Sequence, residues 1–217
     1  MCIRDRLIDC VGYMVDGAVG QLEGEEQRMV TTPWFDREIP MSEAAEIGTR
    51  KVIAEHATIG MVITTDGSIT DIPREDYLEA EERVIAELKE LGKPFLVVLN
   101  SAYPNSERAR AIRADIAQRH QVACVSANCL ELGEEDISGL LKQVLYEFPL
   151  QQMEFYIPKW VELLADDHPL KAELLQKIRE MCREKTRLKD AVGGKTAIAS
   201  QHVSQTLLQS MDLASCT

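Results

Sequence analysis

Asp9 and Gly12 form a D-x-x-G pattern directly after the short apolar segment Leu7-Ile8. A carboxylate at the end of a strand can hold a water molecule on Mg²⁺, and a following glycine lets a backbone amide approach a terminal phosphate where a side chain would be in the way. The simpler alternative is a strand-terminal Asp that caps a turn, and spacing alone favours it. The pattern gains weight from two later segments.

The first of these segments, Asn100-Ser101-Ala102-Tyr103, follows a continuous apolar stretch that predicts a buried strand. Phosphate-loop GTPases carry N-K-x-D at this location, and its Asp accepts hydrogen bonds from guanine. Here Ser101 replaces the Lys and Tyr103 replaces the Asp. Guanine selectivity should be lost, because a buried hydrogen-bonding partner provides such discrimination. An ordinary strand-to-helix loop with Asn100 as a turn residue is the alternative.

The second segment, Ser126-Ala127-Asn128, follows the next predicted strand and is similar to the S-A-K loop that contacts the base in the same fold. In isolation a polar turn is the better interpretation. The order of the three motifs is more informative, because each falls at the carboxyl end of a predicted strand, where open α/β sheets bind ligands. We therefore expect Asn100, Ser126 and Ala127 to line a base pocket, with Asp9 and Gly12 on the phosphate side.

Another polar pair, Thr65-Asp66, ends a further predicted strand at the same edge of the sheet. Either side chain could reach the nucleotide or the loop over residues 13–40. A turn in which Gly67 supplies a positive φ is the simpler expectation.

Hydrophobic periodicity predicts alternating strands and helices, which indicates a parallel sheet with right-handed crossovers. Residues 13–40 have no clean period and predict a long loop or a small hairpin insertion. The predicted strands cover residues 7–11, 58–65, 95–99 and 122–125; the predicted helices cover residues 42–55, 74–91, 106–120, 134–148, 158–165 and 169–190.

The expected fold class is α/β, a parallel-sheet phosphate-loop NTPase that lacks its N-terminal part. Residues 1–149 are expected to form the C-terminal part of that domain, and residues 150–217 the truncated, helix-led start of a second domain. Residues 1–6 fit no element, which leaves open that they are not native protein. The segment Gly193-Gly194-Lys195-Thr196 is rejected as a phosphate loop, because Lys189 stands where the pattern requires glycine.

The net charge of −12 lies in the first region, where residues 1–149 hold 15 Lys and Arg against 27 Asp and Glu. An acidic domain is a poor binder of nucleic acid, because neutralising phosphates needs clustered basic residues. The six cysteines show no C-x-x-C spacing, which predicts reduced thiols in a cytosolic protein. No apolar run approaches the roughly 20 residues that span a bilayer.

Several long runs of the sequence are far more specific than D-x-x-G; they are residues 7–15, 29–35, 39–41, 43–53, 62–77 and 128–132. These runs closely resemble the stage IV sporulation protein A family of spore-coat morphogenetic ATPases. The match is dense from Leu7 to about Ile157 and weaker beyond.

The resemblance implies a fold derived from translation-factor-type GTPases that changed to ATP. It implies binding and hydrolysis of ATP with Mg²⁺, and self-assembly into filaments that form the basal layer of the spore coat. These filaments surround the forespore in the mother-cell cytoplasm, together with other spore-coat proteins. Asp9 matches the family's Walker B carboxylate, which holds Mg²⁺ through water.

The resemblance also implies parts that this chain does not carry. The family's Walker A lysine and sensor threonines lie upstream of Asp9. Its C-terminal region, which contacts the forespore membrane through a small peptide, lies beyond Thr217. We therefore expect these 217 residues alone to hydrolyse no ATP. Turnover well above background would contradict that expectation.

Two other functions stay open at this point. One is a GTPase of the ribosome-assembly type, which the missing N-K-x-D carboxylate and the acidic charge disfavour. The other is a scaffold whose nucleotide site is vestigial.

Overall fold

The computed structural model describes residues 7–15, 17–20, 22–24, 26–192, 198 and 200–212. The interpretations of residues 1–6 and of Gly193-Gly194-Lys195-Thr196 fall outside these residues. The chain divides into two compact units, Met1–Leu140 and Leu141–Thr217. Within the described residues no helix is long and apolar enough to cross a membrane.

The described residues of the first unit form seven strands. Four of them form two small antiparallel hairpins, and three form a parallel sheet in the order β5-β6-β7. The strands are β1 Leu22–Glu23, β2 Glu26–Gln27, β3 Met29–Thr32, β4 Phe35–Pro40, β5 Gly60–Thr65, β6 Phe95–Asn100 and β7 Cys124–Ala127.

The described residues form six α-helices, of which α2 and α3 connect the parallel strands. Short turns of other helix types extend α1 (Val52–His56), precede α2 (Arg74–Tyr77) and follow α6 (Leu188–Ala191). The helices are α1 Met41–Lys51, α2 Leu78–Glu90, α3 Glu107–His120, α4 Glu134–Leu145, α5 Lys159–Glu162 and α6 Pro169–Glu184.

Strand β6 is the centre of the first unit because its apolar run is buried on both faces. The four side chains Leu96 to Leu99 are each 0% exposed. Alternate members of that run, Val97 and Leu99, pack with Ile85 and Leu88 of α2 and Ile116 of α3. This double burial confirms what the continuous apolar sequence predicts, since only a covered strand can dispense with polar alternation.

Helix ends follow local chemistry at two of the predicted places. Ser106 caps α3 by accepting a hydrogen bond from the Ala109 amide at 3.1 Å. Gly92 follows α2 with a φ of +63°, a conformation that glycine adopts without strain. The helix predicted from residue 42 begins at Met41, with Pro40 in the cap position and no side-chain cap.

The strand predicted over residues 7–11 is wrong. These residues form no regular element, and Leu7 is 99% exposed. A buried strand needs partners on its edges and covered faces, and no described strand pairs with this segment. An apolar residue pattern therefore did not suffice to make a strand here.

Other predicted bounds shift without changing the architecture. Strand β7 begins at Cys124 rather than Val122, and α6 ends at Glu184 rather than near residue 190. The helix predicted over residues 158–165 shrinks to the single turn of α5. Of the two alternatives for residues 13–40, the structure shows the hairpins, β1 with β2 and β3 with β4.

Within the second unit, a buried carboxylate joins the end of α4 to the turn after α6. Glu147 is 5% exposed, and its oxygens accept hydrogen bonds from Arg187 at 2.6 Å and from Lys189 at 2.9 Å. An isolated bridge between Pro149 and Arg187 joins the same two segments. Burying that carboxylate is tolerable because two cations pair with it.

Candidate functional site

The carboxyl ends of the three parallel strands meet at one edge of the sheet. Thr65 pairs with Asn100, and Asn100 pairs with Ala127, so the ends of β5, β6 and β7 lie side by side. Ser126 pairs with Leu99 one residue earlier. The structure therefore brings together Asn100, Ser126 and Ala127, the three residues expected on the base side.

A buried carboxylate joins the first two of these strand ends. Asp66 follows β5 and is 4% exposed, and Ser101 follows β6 and is 0% exposed. The Ser101 hydroxyl donates to Asp66 Oδ2 at 2.6 Å. A hydrogen bond to an ionised acceptor is stronger than a neutral one. The loops after β5 and β6 are therefore fixed to each other through side chains.

Ser68 and Arg108 make the other hydrogen bonds to Asp66. The Ser68 amide donates to Asp66 Oδ1 at 3.0 Å, and its hydroxyl donates to the same oxygen. That hydroxyl also accepts from the Ala102 amide at 2.9 Å. Arg108, near the start of α3, donates to the Asp66 carbonyl oxygen at 3.2 Å. Asp66 thus joins both loops through its carboxylate and contacts the beginning of α3 through its backbone carbonyl.

These contacts set the charge state of Asp66. Burial favours the neutral carboxyl, but the hydrogen bonds from Ser101 and Ser68 and the positive charge of Arg108 outweigh it. The pKa of Asp66 consequently lies below its ordinary value, and the group is ionised at neutral pH.

The β7 loop is tied to β6 by Asn100. Its Oδ1 accepts a hydrogen bond from the Cys129 amide at 3.0 Å, and the Ser101 amide donates to the Ala127 carbonyl at 2.9 Å. Because the Asn100 side-chain oxygen already accepts a hydrogen bond from the loop, its NH₂ group is the better candidate for contacting a ligand. The Ser126 hydroxyl oxygen is buried and has no hydrogen-bond partner among the described residues.

In the structure, the segment that follows Asp9 contacts helices α1 and α2. The Gly12 amide donates to the Thr49 hydroxyl of α1 at 3.0 Å, and the Tyr13 hydroxyl donates to Glu87 near the end of α2. Helix α2 runs back from the carboxyl edge, so Glu87 lies toward the amino edge of the strands. Asp9 is exposed. The roles assigned to Asp9 and Gly12 stay predictions.

The segment after Gly12 is held in this place by a charged cluster. The Arg83 guanidinium lies 4.5 Å from the centre of the Tyr13 ring and donates to both oxygens of Glu46. Desolvation and the bond to Glu87 raise the pKa of Tyr13. The Tyr13 hydroxyl therefore stays protonated, and its hydrogen bond to Glu87 joins the segment to α2.

Sequence reasoning missed the central part played by Asp66, Ser68, Ser101 and Arg108. From the sequence, Asp66 is expected only in a turn or in direct contact with the nucleotide or the 13–40 loop. Ser101 is interpreted only as the residue that replaces the lysine of N-K-x-D. The available signal was an Asp-Gly pair after one β-branched strand and a small hydroxyl residue after the next. Predicting their bond requires knowing that β5 and β6 are neighbours in register.

The donor groups of the described part of the chain do not form a metal cage. No group of three or more His, Cys, Asp or Glu side chains within it is placed to hold a metal ion. A magnesium ion that accompanies a nucleotide takes most of its ligands from phosphates and water, and one protein carboxylate fits that chemistry. Asp9 is the residue to which the sequence assigns that contact.

A parallel sheet with polar loops at one edge is consistent with a P-loop NTPase-like domain. Residues 1–149 match the family model "Stage IV sporulation protein A, ATPase domain", and residues 150–217 match "Stage IV sporulation protein A, middle domain". The chain belongs to the stage IV sporulation protein A family. It is a sporulation protein with an ATPase domain, as the resemblance implied.

Curated relatives agree with the family models. The chain is 46% identical over 188 residues to stage IV sporulation protein A of Bacillus subtilis (strain 168) and covers 38% of it. It is 44% identical over 191 residues to the protein of the same name from Clostridioides difficile (strain 630) and covers 39% of it. These alignments use 87% and 88% of the present chain. No solved structure matches it.

Proposed function

We propose that this chain is part of a protein that binds and hydrolyses ATP with Mg²⁺ and self-assembles into the basal layer of the spore coat. The observation that carries the proposal is the joined edge at Asn100, Ser101 and Ala127, which has a base-side loop without the guanine-reading carboxylate. Such an edge is where α/β sheets bind nucleotides. The family's ATPase-domain description supports the same activity.

The proposed chemistry is phosphoryl transfer to water. Catalysis of this reaction depends mostly on positioning and on electrostatic stabilisation by cations around the phosphates. In this chain Asn100, Ser126 and Ala127 would bind the base, Gly12 would meet the γ-phosphate, and Asp9 would hold a metal-bound water. Residues 13–40 would change conformation with the nucleotide, as loops that sense a γ-phosphate do.

The proposal extends to the assembly that hydrolysis would drive. Copies of the protein would polymerise at the forespore surface in the mother-cell cytoplasm, beside other spore-coat proteins and a small membrane peptide. A fold derived from translation-factor GTPases belongs to the same proposal. The names of the matched relatives support the sporulation context.

A scaffold with a vestigial nucleotide site is the second candidate, and one observation favours it. The Gly12 amide, which would have to meet a γ-phosphate, donates instead to Thr49, a residue that is 2% exposed. Phosphate binding would require that bond to break. The two candidates differ in whether Asp9 matters for assembly.

Replacing Asp9 with alanine in the full-length protein separates the candidates. We expect ATP hydrolysis to fall by about a hundredfold or more, because removing one positioned electrostatic group at a reacting phosphate has effects of that order. Assembly, followed by light scattering and electron microscopy, should fall with it. Asp167→Ala, an exposed carboxylate in the second unit, is the matched control and should change neither.

The outcomes are distinct. Assembly by Asp9→Ala at the normal rate favours the scaffold. Binding of GTP more tightly than ATP by the unaltered protein supports the ribosome-assembly type of GTPase and overturns the ATP proposal.

A further inference from the structure

Tyr103 is the most exposed aromatic side chain among the described residues of the first unit. Its side chain is 72% exposed, compared with 42% for Trp34 and 39% for Phe35. A single exposed apolar side chain is ordinary on a protein surface, and only its place in the fold can give it a role.

The backbone that carries Tyr103 is fixed on both sides. Its amide donates to the Ser101 hydroxyl at 3.0 Å, and its carbonyl accepts from the Ser106 amide at 2.9 Å. Ser101 is in turn bound to the buried carboxylate of Asp66. An exposed ring on a fixed backbone has lost part of its conformational freedom before any ligand arrives, which reduces the entropy cost of binding.

The neighbouring loop presents a second exposed apolar side chain. Leu130 is 85% exposed, and its amide donates to the Asn128 side chain at 3.1 Å. The preceding residue, Cys129, is bound to Asn100. Two loops that are both fixed to the end of β6 therefore carry exposed apolar groups at the same edge.

We propose that Tyr103 is the principal contact for the purine base of the bound nucleotide, with Leu130 as an additional apolar contact. This inference rests on the proposed function. An aromatic ring can stack on a base without any hydrogen bond to its edge, and such stacking tolerates any base because every base has a π-face. Tyr103 therefore supplies affinity for the base, and the missing carboxylate removes the preference for guanine.

The test compares Tyr103→Ala and Tyr103→Phe in the full-length protein, with binding of ATP, GTP and inorganic tripolyphosphate measured by calorimetry. We expect Tyr103→Ala to weaken ATP and GTP by the same factor, about tenfold, because base stacking contributes on that order. Tyr103→Phe keeps the ring and should stay within about twofold. Tripolyphosphate has no base, so its affinity should not change. Leu130→Ala should have a smaller effect of the same kind.

Tyr156→Ala is the matched control, because that side chain is 78% exposed but lies in the second unit. It should bind all three ligands normally. An unchanged ATP affinity in Tyr103→Ala overturns the inference while the proposed function stands. Loss of assembly at unchanged ATP affinity overturns it in favour of a contact with a second copy. If the unaltered protein binds tripolyphosphate but not ATP, the proposed function fails as well.

Discussion

Replacing Arg74 with methionine should destabilise the first unit by about 3–5 kcal/mol. The Arg74 and Glu81 side chains are 8% and 1% exposed, with Nη1 2.7 Å from Glu81 Oε2 and Nη2 donating to Oε1 at 2.8 Å. Arg74 also donates to the Thr64 hydroxyl of β5 at 2.9 Å. The substitution would leave the Glu81 carboxylate buried without its cation, which is the costly part of breaking such a pair.

Native-state hydrogen exchange of the β6 amides measures the effect, because that strand reports on the first unit alone. The double variant Arg74→Met with Glu81→Leu should recover most of the loss, since removing both charges also removes their desolvation penalty. Arg119→Met is the control for an exposed pair and should cost about 1 kcal/mol or less. A loss in Arg74→Met no larger than that of Arg119→Met would contradict the prediction.

Replacing Asp66 with asparagine should destabilise the same unit by about 2–3 kcal/mol at neutral pH, since hydrogen bonds to charged groups carry that weight. The carboxamide has one accepting oxygen, so it can accept from Ser68 or from the Ser101 hydroxyl but not from both. The loops after β5 and β6 would then separate more readily. Exchange of the amides at residues 66–68 and 101–103 should rise first.

The loss of stability in Asp66→Asn should depend on pH in one direction. Because the pKa of Asp66 is lower in the folded protein, its contribution to stability is full above the ordinary Asp pKa of about 3.9 and is lost as the pH falls through the folded value. The stability difference between the unaltered protein and Asp66→Asn should therefore shrink in acid. A difference that stays constant from neutral pH to well below about pH 4 would refute the role of the ionised carboxylate.

Strand β6 and helices α2 and α3 could be predicted from the sequence because each of their hydrophobic patterns is typical of one kind of element. A continuous apolar run predicts a strand covered on both faces, and apolar residues at helical spacing predict a one-sided helix. Local signals at Ser106 and Gly92 placed two helix ends. The apolar segment at Leu7 was equally suggestive, yet it is not a strand, because pairing depends on neighbours that a local pattern does not contain.

The candidate site likewise contains residues whose positions the sequence predicts and contacts that it does not predict. The positions of Asn100, Ser126 and Ala127 at one edge followed from the alternation of strands and helices, since parallel strands end together. The hydrogen bonds of Gly12 to Thr49 and of Tyr13 to Glu87 join residues far apart in sequence. No motif spacing reports such contacts.

Residue types along the chain suffice to predict the alternation of strands and helices, the family to which the chain belongs, and a loop after β6 in which Tyr103 stands where N-K-x-D has its Asp. Three other features are visible only in the folded protein: the hydrogen bond from Ser101 to Asp66, the exposure of Tyr103 on a fixed backbone, and the contact of Gly12 with α1. These features depend on strand register and on burial. Both arise when distant segments pack together, and a buried charge or a satisfied amide exists only after that packing is complete.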